Sequence, residues 1–213
     1  MKSTLFNMVA VLFSITLIAS AGVGAVNMIT EDAIAEVNRQ ATVAAVANVL
    51  PAFEKNEMRT MNIDDMPINV YTAVDGSGAV VGYAVETMTM SGFSGKVRMM
   101  VGFAADGKIL NVNVLEQSET PGLGTKMCDE GNVLLASVKD KNPADLILKV
   151  KKDGGDIDAL TAATISSRAY AEAVARAYEA FKVASGAKDT ADGVSGATAA
   201  DESCDAQEGG ENE

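Results

Sequence analysis

The chain has 213 residues, 48% hydrophobic and 22% charged, with a formal net charge of −12, enough for one domain of ordinary size with appendages. It contains no His and no Trp, which excludes a Ser-His-Asp triad, His-ligated zinc or haem, and any general base whose ordinary pKa lies near neutrality. The negative charge argues against nucleic acid, whose phosphates it would repel. No metal-ligand spacing is present and no catalytic side chain is expected, so demanding chemistry would have to come from a cofactor.

In chain order, the first signal is apolar. After Lys2 no charge appears until Glu31, and LFNMVAVLFSITLIASAGVGAVNMI supplies 25 residues, which as helix reach roughly 38 Å and exceed the roughly 30 Å of bilayer hydrocarbon. Lys2 on one side and Glu31 and Asp32 on the other put the N-terminus in the cytoplasm and the rest outside, by the positive-inside rule. Ala19-Ser20-Ala21 resembles a signal-peptidase site, but the apolar run continues past it, as an uncleaved anchor would. Ser20, Ala21, Gly24 and Ala25 form small-xxx-small pairs that would suit another membrane helix, or are incidental small residues.

Glu31 to Leu50 is rich in Ala and Val and stops at Pro51, as a helix continued from the anchor would. VVGYAVETM, KVRMMVGF and ILNVNVLEQ read as strands, the last two joined through an Asp-Gly hairpin signal, and form an antiparallel core. SETPGLGTKM reads as a loop, a short helix follows from about Asn132, LILKVKK reads as a further strand, and GGD as a turn. SSRAYAEAVARAYEAFKV closes the domain as a helix whose Tyr170, Val174, Tyr178 and Phe181 make a buried stripe. Strands and helices without a repeating strand-helix unit give an α+β class. From Lys188 to Glu213 there are eight acidic residues and one Lys among Ala, Gly and Ser, a composition expected to stay disordered. The two cysteines, Cys128 and Cys204, read as unpaired thiols.

DALTAATISS falls between the GGD turn and the closing helix, so Thr161, Thr164 or Ser166 sits at that helix's N-terminus. Thr caps helices routinely. The same place gathers free N–H groups and the positive end of the helix dipole, so it also suits a phosphate, which a hydroxyl there would hold as an ester. The tail nearly repeats the stretch as DGVSGATAADES, with Thr198 in the corresponding place. No strand precedes that copy, no amphipathic helix follows it, and Asp192, Asp201 and Glu202 would repel a phosphate there.

DALTAATISS resembles the flavinylation motif of the FMN-binding domain family, and ETPGLG resembles that family's companion loop. With the N-terminal span and VLPAF, the chain is similar over roughly residues 1 to 185 to the G subunits of Rnf electron-transport complexes. The C subunits of sodium-pumping NADH:quinone reductases are the near alternative. The resemblance implies FMN joined through a phosphoester to Thr164 by a flavin transferase. Thr161, Ala162 and Ala163 would line the phosphate, with Asp158 as the motif's leading acid. Glu119, Thr120, Gly122, Leu123 and Gly124 would border the flavin, their glycines letting backbone approach it, and Lys151 would close on phosphate or ring. Many members carry Gly where this chain has Ala162, so Ala162 is expected at negative φ.

The implied organisation is a cytoplasmic N-terminus and transmembrane anchor at 1–30, a helical linker at 31–60, an FMN-binding domain at 61–187 and an acidic tail at 188–213. The protein would sit in the bacterial inner membrane with a single span, its domain on the periplasmic side. With other membrane subunits it would relay electrons in a complex coupling ferredoxin oxidation and NAD reduction to sodium or proton transport. A different class of reading, an anchored scaffold whose threonines only cap helices, stands beside it.

Overall fold

A computed structural model of the protein describes residues 5–64 and 66–186. Helix α1 spans Leu5–Val49 without a break. Its first 25 residues are exposed along their whole length, with Leu5, Phe6, Phe13, Ile18 and Ile29 all outward, which in water would be untenable and in hydrocarbon costs nothing. The helix is long and apolar enough to cross a membrane. Charges from Glu31 onward let it continue beyond that region.

Five antiparallel strands follow as a meander in the order β1-β2-β3-β4-β5: Lys55–Ile63, Met66–Val74, Val80–Gly92, Gly95–Ala104 and Ile109–Gln117. Side-chain alternation along the strands assigns each face of the sheet a different partner. On one face Val85, Val97, Met99, Val101 and Phe103 pack against the closing helix α3, Thr164–Ala184, through its Tyr170, Val174, Ala177 and Phe181. Phe103 stacks on Phe181 at 4.8 Å between ring centroids, and Tyr83 meets Phe181 edge-on at 5.3 Å. The other face is shallow, with Ala73, Ala84 and Met100, and receives Ala45, Val46, Val49 and Leu50 from the end of α1. Gly102 makes that seat, because a Cβ there would overlap the Val49 carbonyl.

The class is α+β, built on an antiparallel sheet as the strand pattern indicates. The expected strands at 80–88, 96–103 and 109–117 fall within β3, β4 and β5, and the short helix is α2, Val133–Val138, capped by the Asn132 side chain. Three details differ. LILKVKK is no strand: Val150 makes one bridge to Ile157, and Lys151–Asp153 is a 3-10 turn. Gly154 at φ 79 and Gly155, packed against the Lys149 backbone, reverse the chain before a ladder can extend. Strands β1 and β2 were not anticipated. KNEMRTMNI is exposed over most of its length, so this edge strand carries no apolar alternation to announce it. In the stretch read as a helical linker, α1 ends at Val49 and β1 begins at Lys55. Thr198, Cys204 and the acidic tail lie outside the described residues.

Candidate functional site

The segment before α3 is a tight turn. The Ala163 N–H donates to the Leu160 carbonyl at 3.2 Å, and Ser167 pins the turn from within the helix, its Oγ accepting from the Leu160 N–H and donating to the Ala163 carbonyl. Closing it puts Ala162 at φ 59, the left-handed region that disfavours a Cβ. The expected negative φ is therefore wrong: the chain must double back between Leu160 and the first helical residue, and that reversal overrides the local preference of Ala.

Ala163 is the N-cap, and no side chain caps the helix. Thr164 is the first residue of α3, so its hydroxyl is not spent on a cap; Oγ1 accepts from Lys152 Nζ at 3.1 Å. The neighbouring Lys151 is committed elsewhere, 2.7 Å from Asp158 Oδ1. That ammonium holds the Asp158 carboxyl below the usual carboxylate range, with help from the Ser137 hydroxyl. Asp153 takes Arg168 through two hydrogen bonds of 2.7 and 2.8 Å, and Arg168 likewise lowers its pKa.

The ETPGLG loop folds onto the same helix end. Glu119 is buried, and its carboxylate accepts from the Ser166 hydroxyl and from the Ser94 N–H at 3.2 Å. One side chain thus ties together the loop, the β3–β4 hairpin and the first turn of α3. Gly124 permits the closeness: a Cβ there would lie 2.6 Å from Ser166 Oγ and 2.7 Å from Glu119 Cβ. A Cβ at Gly92 would lie 2.6 Å from Glu119 Oε1. Gly122 sits at φ 75, its N–H donating to Thr125 Oγ1 at 2.9 Å.

Between these segments is a cavity of about 310 Å³, within the usual range for small-molecule pockets. Six expected residues line it: Thr120, Leu123, Gly124, Ala162, Ala163 and Thr164. Phe93, Ile165 and Ser166 complete the lining. Glu119 stands behind the wall, while Asp158, Thr161, Gly122 and Lys151 are not part of it. Sequence reasoning missed Phe93, although an aromatic inside the tip Ser-Gly-Phe-Ser-Gly was a visible signal. It also missed Lys152, whose contact with Thr164 depends on which of two adjacent exposed lysines reaches the hydroxyl. A larger cleft of about 440 Å³ lies between α1 and the sheet, lined in part by Arg39, Tyr71, Glu86 and Arg98, and contains none of the motif residues.

The model of the FMN-binding domain family matches residues 92–179, from the hairpin that carries Phe93 through most of α3. The G subunit of the ion-translocating oxidoreductase complex of Shewanella amazonensis is 37% identical over 173 residues, covering 75% of this chain and 80% of that protein. The chain belongs to this G-subunit family. Its counterpart in Shewanella baltica is 34% identical, covering 76% of this chain and 82% of that protein. The G subunit of the Na(+)-translocating ferredoxin:NAD(+) oxidoreductase complex of Acetobacterium woodii is 28% identical over 190 residues, covering 83% of this chain and 91% of that protein. Among solved structures, Shewanella oneidensis NqrC is 21% identical at a TM-score of 0.37 over 62% of this chain and 65% of that one, too loose a superposition to bear on function.

Proposed function

We propose that the protein carries FMN esterified through its phosphate to Thr164 and relays electrons within an Rnf-type complex that couples ferredoxin oxidation and NAD reduction to sodium or proton transport. The observation that carries this reading is the convergence of both motifs on one cavity, with the Thr164 hydroxyl at its wall and not engaged in capping. A threonine serving only as a cap would sit one residue earlier and accept from the helix backbone, which disfavours the scaffold reading. The G-subunit relatives favour this assignment over the corresponding component of a quinone reductase.

The residues present fit the group. Phe93, Leu123 and Ile165 are each partly exposed and offer apolar surface for a flat aromatic ring, while the first turn of α3 offers free N–H groups and Lys152 a charge for the phosphate. When bound, FMN supplies the electron chemistry that no side chain here can. The protein's part is to hold and shield it: Thr164 fixes the phosphate, Gly124 lets the loop close on α3, and Glu119 locks the loop to the hairpin that carries Phe93. A flavin transferase would install the group, and a tether suits a carrier on the periplasmic side, where lost FMN is not replaced.

Co-expression with a flavin transferase tests the reading. The denatured wild-type chain should fluoresce on a gel under ultraviolet light and gain the mass of one flavin. Thr164→Val should abolish that gain, whereas Thr198→Val should leave it. A flavin-bearing peptide that maps only to Thr198 would sink the assignment.

A further inference from the structure

Three consecutive side chains in the turn before the motif take three different partners. Lys151 goes to Asp158, Lys152 to the Thr164 hydroxyl, and Asp153 to Arg168. The turn that presents them is built, not loose. Val150 bridges Ile157, the Lys151 N–H donates to the Ile157 carbonyl at 2.8 Å, and Gly154 reverses the chain at φ 79. The Asp153–Arg168 fork then fixes the turn to α3 just beyond its first turn. Of the three cations in this knot, Lys151 and Arg168 are each matched by a carboxylate. Lys152 makes no ion pair among the described residues, and its ammonium rests on a neutral hydroxyl at the cavity wall.

We propose that Lys152 is the counter-cation for the phosphate of FMN at Thr164, an inference that rests on the FMN reading above. Resemblance pointed to Lys151, but that ammonium is held by Asp158, whose carboxylate would repel a phosphate. One position along, the charge is uncommitted and already touches the atom that would carry the ester. An ammonium is a compact charge with three rotatable donors, so it can follow the phosphate from the free to the esterified state without a fixed bidentate geometry. The Asp153–Arg168 fork sets where Lys152 starts, which is how an exposed lysine comes to be ordered against one threonine.

The full-length chain, purified in detergent from cells without a flavin transferase and shown by mass to lack flavin, allows the test. FMN and riboflavin are titrated into it; riboflavin has the same ring and ribityl chain but no phosphate. FMN should bind more tightly than riboflavin. Lys152→Met should weaken FMN roughly tenfold, the scale of one hydrogen bond to a charged group, leave riboflavin unchanged, and not alter the melting temperature. Lys152→Arg should restore most of the loss, and Lys108→Met, a charge removed from the β4–β5 turn, should change neither affinity. Equal weakening of both flavins by Lys152→Met, or no weakening of FMN, overturns the proposal. So does a wild-type chain that binds neither flavin; if that chain also gains no flavin on co-expression with the transferase, the FMN reading itself fails.

Discussion

At Ala162 a methyl group occupies a backbone conformation that costs an L-residue roughly 1–2 kcal/mol, and the turn that seats Thr164 depends on it. Glycine would relieve that strain while giving the unfolded chain more freedom, worth about 0.4–1 kcal/mol in the opposite direction. Ala162→Gly should therefore stabilise the domain by up to about 1.5 kcal/mol, seen as a higher melting temperature; a lower one would show that the turn is not strained. Gly124 presents the opposite case. Valine there would push into Ser166 and Glu119, and overpacking of this kind costs roughly 1–3 kcal/mol. Gly124→Val should lower the melting temperature and separate the ETPGLG loop from α3, with a changed visible spectrum for any attached flavin. A folded, flavin-bearing Gly124→Val protein with unaltered stability and spectrum would show that the loop does not close the site. The glycine is thus required by contact with protein at a position that also lines the cavity.

Among elements, α3 and the turn before it form the working unit. The helix runs to Ala184, with its stripe from Tyr170 to Phe181 on the sheet, Ser185 as C-cap, and Gly186 at φ 74 ending it. This fixes Thr164 relative to β3 and β4, while the turn is held to α3 largely by charge. The carboxyl groups of Asp153 and Asp158 have pKa values below the ordinary 3.8 because of Arg168 and Lys151. A depressed folded-state pKa means that their contribution is present above the unfolded value and is lost as pH falls through the folded one. Both groups are exposed, so the effect should be local. Acidification below the usual aspartate range should loosen residues 150–158, raising their amide hydrogen exchange relative to the β3–β4 core. Uniform loosening of core and turn would show that the ion pairs do not hold the turn.

For the whole molecule, the anchor is also part of the fold. Helix α1 is about 67 Å long at helical rise, its apolar start left open to lipid while its end is buried on the sheet through Ala45, Val46 and Val49. Deleting residues 1–30 should leave a soluble, acidic, folded domain. Deleting residues 1–50 should not, because Ala73, Ala84 and Met100 would lose their cover. Melting curves of the two truncations decide this, and equal stability would show that the end of α1 merely rests on the domain. With the N-terminus inside, protease should reach the domain in cells whose outer envelope alone is permeabilised. Protection of the domain would reverse the proposed orientation.

Whatever is local or one-dimensional can be read from the amino-acid sequence. It gave away the membrane-length helix by an unbroken apolar run, β3 to β5 by short β-rich segments and an Asp-Gly turn, α3 by the spacing of Tyr170, Val174 and Phe181, and the two motifs by their residues. What depends on chain reversal and neighbours came from the tertiary fold. It put Ala162 at positive φ because the turn must close, turned LILKVKK into a bridge and a turn because two glycines follow it, and formed β1 as an exposed edge strand by pairing with β2. It also gave Lys151 to Asp158 and Lys152 to Thr164. Adjacent lysines are equivalent in sequence, and only the path of the backbone between Val150 and Ile157 makes one of them face the hydroxyl.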